Sequence, residues 1–211
     1  MRFPQVGKGS SKGNYDNLGT SARRASSSAR KAQFIARLAQ KLNPECIIEM
    51  GTHLGKLSLY LSNACPEAKI ITIEAQMDFA SMAKKNFLKF KADNIQLFQM
   101  YFQDFIDNHN AIIRNCDMII IDGDHSYEKL HSYYYQLRNC VRPGSCFIID
   151  DIRWSKGMYK AWCDITERES NAYILDFFSW GLIIIDGRFK CKESRMMIHP
   201  SLKPLSRGFW A

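Results

Sequence analysis

The 211-residue chain is long enough for one domain with a full hydrophobic core, and its 46% hydrophobic and 24% charged residues are ordinary for a soluble globular protein. No apolar run approaches the roughly 20 residues that would span a membrane, and the first residues lack the apolar stretch of a secretory signal. Seven cysteines at irregular spacing, without a CxxC pair, favour a reducing compartment over a disulfide framework or a zinc site. We therefore expect a cytoplasmic protein.

The net charge of +8 is concentrated at the start of the chain. Residues 1–41 contain nine Lys or Arg and a single acid, whereas the remainder has equal numbers of bases and acids. Residues 1–25 are rich in Gly, Ser, Asn and Arg and show no apolar period. We predict a basic arm over residues 1–25 and a single domain over residues 26–211. Such an arm suits nucleic acid, an anionic substrate or an acidic surface, and a disordered tail is the simplest alternative.

Strand-like and helical patterns alternate along the domain. A helix is predicted from Ser26 to the Asn43-Pro44 stop. The strand-like runs are 46–50, 69–73, 95–98, 117–121, 145–149, 172–178 and 181–185, and the later helical patterns are 54–64, 77–91, 126–140 and 154–168. This alternation predicts a parallel sheet covered on both faces. The last two runs are separated only by Ser179 and Trp180, which is too short for a parallel crossover, so they should form an antiparallel hairpin.

The first strand ends in the sequence IIEMGTHLG, where an acid is followed by two glycines. Gly51 would permit a sharp turn and Gly55 a close helix–strand contact. The G-x-x-x-G spacing departs from the dinucleotide fingerprint, which disfavours a pyrophosphate ligand. The second strand ends in Glu74, at the position where an acid accepts hydrogen bonds from ribose hydroxyls. Together with Glu49, these features predict a site for a nucleoside joined to an amino acid, which is S-adenosylmethionine.

Four motifs extend this prediction: EMGTHLG, ITIEA, CDMIIIDGDHSYE and FIIDDIRW. In this order they resemble the motifs of class I S-adenosylmethionine-dependent methyltransferases, in the form of the small-molecule O-methyltransferase branch. That branch includes the catechol and caffeoyl-coenzyme A enzymes, and the likeness is greatest to a bacterial group within it. The resemblance covers roughly residues 28–198. It implies an α/β, Rossmann-like, doubly wound sheet of seven strands in the order 3-2-1-4-5-7-6, with strand 7 antiparallel. The hairpin inferred from the short gap agrees with this order.

The resemblance also implies a cofactor site at the carboxyl ends of the first four strands. Its expected residues are Glu49, Gly51, Thr52, Gly55, Glu74, Phe102, Gln103 and Asp122. Within this set, Glu49 would face the methionine ammonium of S-adenosylmethionine. Phe102 and Gln103 would contact adenine, with Asn94 and Tyr101 as alternatives for that role.

Three carboxylates are expected beside the cofactor. Asp122 follows the fourth strand and Asp150 and Asp151 end the fifth, and adjacent parallel strands bring their carboxyl ends together. Like charges raise one another's pKa, and a hard divalent cation such as Mg²⁺ or Ca²⁺ would relieve the repulsion. Catechol-type enzymes hold a metal at matching positions, so the resemblance implies that these three residues are metal ligands. The metal would bind the acceptor hydroxyl and lower its pKa.

One departure from the catechol enzymes concerns the general base. Those enzymes carry a Lys three residues after the strand-four acid, whereas this chain has His125. Imidazole accepts protons near neutral pH, so His125 is the candidate base. The substitution also opens an alternative in which Asp122 and His125 act as a metal-free dyad.

The leading hypothesis is O-methylation of a small aromatic or anionic acceptor. The basic arm would then close over the acceptor pocket, with Arg23 or Arg24 holding an anionic group. The second hypothesis is an RNA methyltransferase whose arm binds phosphates. Neither an NPPY-type motif nor a cysteine in a Pro-Cys setting supports it. The third is a non-catalytic S-adenosylmethionine-binding protein. A homodimer is compatible with the sequence, which leaves the oligomeric state open.

Overall fold

The computed structural model describes residues 29–186 and the backbone of residues 195–197. The predicted basic arm over residues 1–25 lies outside the described residues. The helices are α1 (Ala29–Leu42), α2 (Lys56–Ala64), α3 (Met77–Lys89), α4 (Phe102–Asn108), α5 (Asn110–Arg114), α6 (Tyr127–Arg138) and α7 (Lys156–Arg168). The strands are β1 (Cys46–Met50), β2 (Lys69–Ile73), β3 (Ile95–Phe98), β4 (Met118–Ile121), β5 (Cys146–Asp150), β6 (Ala172–Asp176), β7 (Trp180–Ile185) and β8 (Arg195–Met197).

The strands form one sheet in the order β3-β2-β1-β4-β5-β7-β6-β8. Strands β1 to β5 pair with one another in parallel, and β7 is antiparallel to both β5 and β6. The predicted seven-strand order is therefore confirmed, and the short β8 extends the sheet at the β6 edge. Chain order reverses between β1 and β4, so a crevice for a ligand is expected at their carboxyl ends.

The sheet is buried on both faces, as its continuous apolar strands predict. All residues of β4 and β5 are buried, including four consecutive positions of the sequence MIII. One face packs against α4 to α7 through a core that contains Phe105, Tyr134 and Trp162. The other face packs against α1 and α2, which contribute Ile35 and Leu61. The central strands are thus fixed on both sides, and their carboxyl ends form a rigid base for a site.

Two features of the fold were not predicted. Helices α4 and α5 lie between β3 and β4, where no helical pattern was identified because segments of seven and five residues are too short to show periodicity. Strand β8 has only three residues. In the described part of the chain, no helix is long and apolar enough to cross a membrane.

Candidate active site

The turn between β1 and α2 lies where three strands meet. Gly51 has a φ of 120°, and a Cβ at this position would lie 2.0 Å from the backbone oxygen of Asp122. The amides of Gly51 and Thr52 donate to the carbonyl of Ile73 at 3.0 and 3.2 Å, and the Asp122 amide donates to Met50 at 2.9 Å. Position 51 therefore requires glycine for its conformation and for space, as the sequence predicted.

Glu49 is buried directly before this turn. Its side chain is 1% exposed, and its Oε2 accepts hydrogen bonds from Ser58 Oγ and, at 2.7 Å, from Thr72 Oγ1. Burial raises the pKa of Glu49 to about 7, although the two hydroxyl donors oppose the rise. A buried carboxylate that lacks a cationic partner is costly in the ionised form. The chemistry of this group therefore suits the ammonium of an amino-acid ligand.

Glu74 and His53 flank the turn on the side of β2. The Glu74 carboxylate accepts hydrogen bonds from the backbone amides of His53 and Gln76, each at 2.9 Å. Burial raises the pKa of Glu74. The Nε2 atom of His53 is buried and has no hydrogen-bond partner among the described residues. The donor side of the crevice thus offers a carboxylate and a ring nitrogen that a ligand could satisfy.

Thr52 and Gly55 serve the packing of this region. The hydroxyl of Thr52 lies 2.6 Å from that of Thr72. A Cβ at Gly55 would lie 2.3 Å from the ring of Phe87, so this glycine allows α2 to begin against α3. Both residues shape the turn through internal contacts.

The residues expected at adenine have different surroundings. Phe102 packs on Gly123, where a Cβ would lie 2.7 Å from its ring, and makes an edge contact with Tyr133 at 5.8 Å between ring centroids. It therefore lies beside the loop after β4. Gln103 donates to Gln136 on α6 at 2.8 Å, so its amide joins two helices.

The two alternatives for adenine also differ. The side-chain amide of Asn94 donates to the carbonyls of Cys65 and Ala68 at 3.1 and 2.9 Å, which ties it to the chain before β2. Tyr101 is 65% exposed at the start of α4. Tyr101 is therefore the alternative that remains accessible to a ligand.

Asp122, His125 and Asp151 come together at the carboxyl ends of β4 and β5. One potential ligand atom from each residue lies within 4.8 Å of the other two. His125 Nε2 is 3.7 Å from Asp151 Oδ2, and its Nδ1 is buried without a hydrogen-bond partner among the described residues. Burial, with a contribution from Asp150, raises the pKa of both Asp122 and Asp151. The site therefore holds an imidazole between two carboxyl groups.

Asp150 is engaged differently from the other two acids. Its Oδ2 contacts the ammonium of Lys31, in the first turn of α1, and its Oδ1 accepts the amide of Asp151 at 2.7 Å. The set predicted for Mg²⁺ or Ca²⁺ was Asp122, Asp150 and Asp151, whereas the potential ligand atoms within 4.8 Å of one another belong to Asp122, His125 and Asp151. Because an ammonium already neutralises Asp150, the residues do not fit an oxygen-only divalent site.

The loop that carries His125 is held by side chains on α6. Asp124 has a φ of 50° and accepts a hydrogen bond from Tyr133 Oη at 2.7 Å. Ser126 caps α6 by accepting the Lys129 amide at 3.3 Å. The ring of Trp154, which is half exposed, lies 5.9 Å from that of His125. The candidate base therefore stands on a fixed loop beside an accessible indole.

Lys31 was not predicted as a site residue, because in the sequence it is only one of the nine bases of residues 1–41. A signal was present, since Lys31, Ile35 and Ala39 are spaced four residues apart and so share one face of α1. Ile35 and Ala39 are buried. A lysine on the buried face of a helix is unusual and indicates an internal acidic partner.

Comparison with known proteins supports the fold described above. Residues 48–152 match a family model described as a methyltransferase domain. The structure of the O-methyltransferase TomG from Streptomyces achromogenes, involved in tomaymycin synthesis and solved with S-adenosylmethionine, is similar with a TM-score of 0.69 at 17% identity, covering 83% of this chain and 92% of that one. The O-methyltransferase from Bacillus cereus, in complex with S-adenosylhomocysteine, gives 0.65 at 18% identity, covering 80% and 89%.

A shorter sequence match points in the same direction. The transmembrane O-methyltransferase homolog of Rattus norvegicus is 34% identical over 56 residues, which is 26% of this chain and 22% of the rat protein. The match thus spans about a fifth of that curated relative. With the family match over residues 48–152 and the shared fold, the central part of the chain is a methyltransferase domain, and the chain has the fold of the class I S-adenosylmethionine-dependent enzymes.

Proposed function

We propose that the protein transfers the methyl group of S-adenosylmethionine to a hydroxyl oxygen of a small-molecule acceptor. The observation that carries the proposal is the position of His125 between Asp122 and Asp151, at the crevice edge next to the Glu49 turn. The family match and the O-methyltransferase neighbours support it.

The donor would bind over the turn after β1. Glu49 would meet the ammonium of the methionine part, because that cation offsets the cost of ionising a buried carboxyl group. Glu74 would accept hydrogen bonds from the ribose hydroxyls, for which its carboxylate retains lone pairs beyond the two amide contacts. When bound, S-adenosylmethionine supplies an electrophilic methyl group on its sulfonium. Phe102, Gln103 and Tyr101 remain candidates for the adenine end.

The acceptor proton would be taken at His125 Nε2, the nitrogen that faces Asp151. The imidazolium formed there would be stabilised by the carboxylate of Asp151 and by Asp122 when ionised. Tyr133 donates to Asp124, and this contact holds the loop that carries the His125 ring. Because the expected Mg²⁺ or Ca²⁺ ligand set does not fit, the proton transfer is assigned to this chain's own groups.

The acceptor class follows from the surroundings of His125. Trp154 offers a half-exposed ring for stacking on an aromatic acceptor. The basic segment that precedes α1 would supply Arg23 or Arg24 to an anionic group on the same molecule. We therefore propose an aromatic hydroxyl acceptor that carries a negative charge.

The test is methyl transfer from tritiated S-adenosylmethionine to a metabolite library, with and without EDTA. We expect product in both conditions, and loss of turnover by roughly 10²- to 10⁴-fold in His125→Ala, the usual contribution of a general base. His131→Ala is the matched control, because His131 lies on α6 against Tyr127 and Tyr135. Loss of activity with EDTA, restored by a divalent ion, would replace the metal-free account with a metal bound by Asp122, His125 and Asp151.

Two other outcomes have distinct signatures. Methylation of RNA in place of metabolites, with a steep salt dependence, would identify the acceptor as nucleic acid. Binding of S-adenosylmethionine without any product, in a library that includes phenolic acids, would favour a non-catalytic role. In either case Glu74→Ala should weaken donor binding by about 1.5–3 kcal/mol, the range for a hydrogen bond to a charged group. The exposed Asp78, in the first turn of α3, provides the control variant Asp78→Ala.

A further inference from the structure

The contact between Lys31 and Asp150 joins the first described helix to the reaction edge of the sheet. The two residues are 119 positions apart in the chain, and their side chains are 15% and 6% exposed. Both oxygens of Asp150 are occupied, one by the Lys31 ammonium and one by the Asp151 amide. A buried pair of this kind requires that each charge be satisfied, because an isolated one would be costly.

Lys31 also acts on the neighbouring acids. Its positive charge opposes the rise that burial and Asp150 cause in the pKa of Asp122, and it does the same at Asp151. Lys31 is thus the cation that all three carboxyl groups share. These are the same three acids for which the sequence predicts a divalent metal ion.

We propose that Lys31 is the built-in cation of the acceptor site and supplies the positive charge that a divalent ion would otherwise provide. It is a positioning residue, since it acts through Asp150. By holding that carboxylate, it leaves Asp122 and Asp151 to flank His125. That this site binds the methyl acceptor rests on the proposed function. The charge arrangement itself rests on the contact between Lys31 of α1 and Asp150 of β5.

The consequence is that the Lys31 ammonium and a divalent ion compete for the same carboxylates. With the ammonium in place, one carboxylate is occupied and a second cation is repelled. Replacing Lys31 by Met keeps a chain of similar length and removes the charge, so that Asp122, Asp150 and Asp151 are left without a counter-ion. The variant should then bind a divalent ion that the wild type rejects.

The experiment measures Mn²⁺ binding to the ligand-free protein by electron paramagnetic resonance, which needs no turnover. We expect Lys31→Met to bind Mn²⁺ roughly tenfold or more tightly than the wild type. Lys31→Arg should behave as the wild type, because it retains the charge. The double variant Lys31→Met with Asp150→Ala should lose the gain, because one of the three oxygen ligands is removed. Equal Mn²⁺ affinity in wild type and Lys31→Met, or a gain that survives in the double variant, would overturn the proposal.

A second measurement uses the unaltered protein and covers the case in which Lys31→Met does not fold. An ion that binds only the folded protein raises its thermal midpoint, so about 10 mM Mn²⁺ should leave the wild-type midpoint unchanged. A clear rise would show that the site accepts a divalent ion despite Lys31 and would refute the inference. Failure of methyl transfer in the activity assay leaves both readouts unaffected, so the two hypotheses can fail separately.

Discussion

Glu49 shows how a single residue links stability and binding. It is buried, and its Oε2 accepts hydrogen bonds from the hydroxyls of Ser58 and Thr72. Burial raises its pKa from an ordinary 4.5 to about 7. The folded protein therefore holds a proton on Glu49 more tightly than an unfolded chain does. This contribution to stability is fully present below about pH 4.5 and is lost as the pH rises through 7.

We expect Glu49→Gln to stabilise the ligand-free protein at pH 8 by up to about 3 kcal/mol, since each pKa unit corresponds to about 1.4 kcal/mol. The gain should shrink towards pH 5, because the wild-type carboxyl is then protonated and resembles the amide. Urea unfolding at both pH values measures this difference. The exposed Glu67 gives the control Glu67→Gln. An equal gain at pH 5 and pH 8 would contradict the assignment of the effect to ionisation.

The same residue predicts the pH dependence of donor binding. A ligand ammonium prefers the ionised carboxylate, which the free protein must form by releasing a proton below pH 7. Affinity for S-adenosylmethionine should therefore fall as the pH decreases from 8 to 6, and the dependence should be absent in Glu49→Gln, which binds weakly throughout. Isothermal calorimetry across this range measures both. A wild-type affinity that does not change with pH would argue against contact between Glu49 and the ammonium.

At the scale of elements, the turn between β1 and α2 is the least replaceable segment of the site. Gly51→Ala would place a Cβ 2.0 Å from the Asp122 carbonyl in a backbone of φ 120°. We expect a loss of more than about 3 kcal/mol, because overpacking and backbone strain each cost roughly 1–3 kcal/mol. Urea unfolding and donor binding should both report the change.

Gly144 provides the matched comparison for this turn. It has a φ of 96°, and among the described residues nothing lies within 4 Å of an added Cβ. Gly144→Ala should therefore cost only the conformational strain, about 1–3 kcal/mol, and should leave the site intact. Equal losses of unfolding free energy in the two variants would mean that the backbone near Asp122 moves away from the added Cβ at little cost.

The strands were the most predictable elements. Strands β1, β2 and β3 have the bounds that the apolar runs gave, because each run lies between polar turn residues. Positions at strand ends were predictable for the same reason, so Glu49 and Asp122 lie at the carboxyl edge as expected. Helices α4 and α5 were not predictable, since segments of seven and five residues are too short to show a helical period.

Side-chain partners were less predictable than positions. The resemblance predicts Gln103 at adenine, but it gave no indication that the Gln103 amide also donates to Gln136 on α6. Asp150 was expected beside a metal, yet it pairs with Lys31, which is 119 residues away. The helix face of Lys31 indicated an internal acidic partner, but the identity of that acid depends on how α1 packs against the sheet. The strand order followed from the family resemblance and the hairpin from the short gap at Ser179 and Trp180, whereas the charge balance of the site required the assembled fold.

At the scale of the whole molecule, the charge divides the chain into a basic start and a neutral body. Deleting residues 1–25 should spare S-adenosylmethionine binding, because Glu49 and Glu74 lie in the body and α1 is kept. It should raise the acceptor's KM or abolish turnover if the arm holds an anionic group. Steady-state kinetics of the truncated enzyme measure the effect, and Arg23→Gln with Arg24→Gln in the full chain is the matched charge variant.

The nucleic-acid alternative makes a different prediction for the same deletion. The truncated protein should then lose an RNA affinity whose salt dependence reflects the number of phosphates released. Full activity on the small acceptor after deletion, together with no RNA affinity to lose, would leave the arm without a role in either process.

The position of Lys31 has a consequence for the basic arm that precedes α1 in the sequence. Lys31 touches the reaction edge of β5 and is only two residues after the start of α1, so the chain enters the fold beside the acceptor site. If the arm binds the acceptor as proposed, it holds that molecule close to α1 and the crevice edge, which raises its effective concentration there. Weak capture would then be enough to saturate the enzyme with a dilute acceptor.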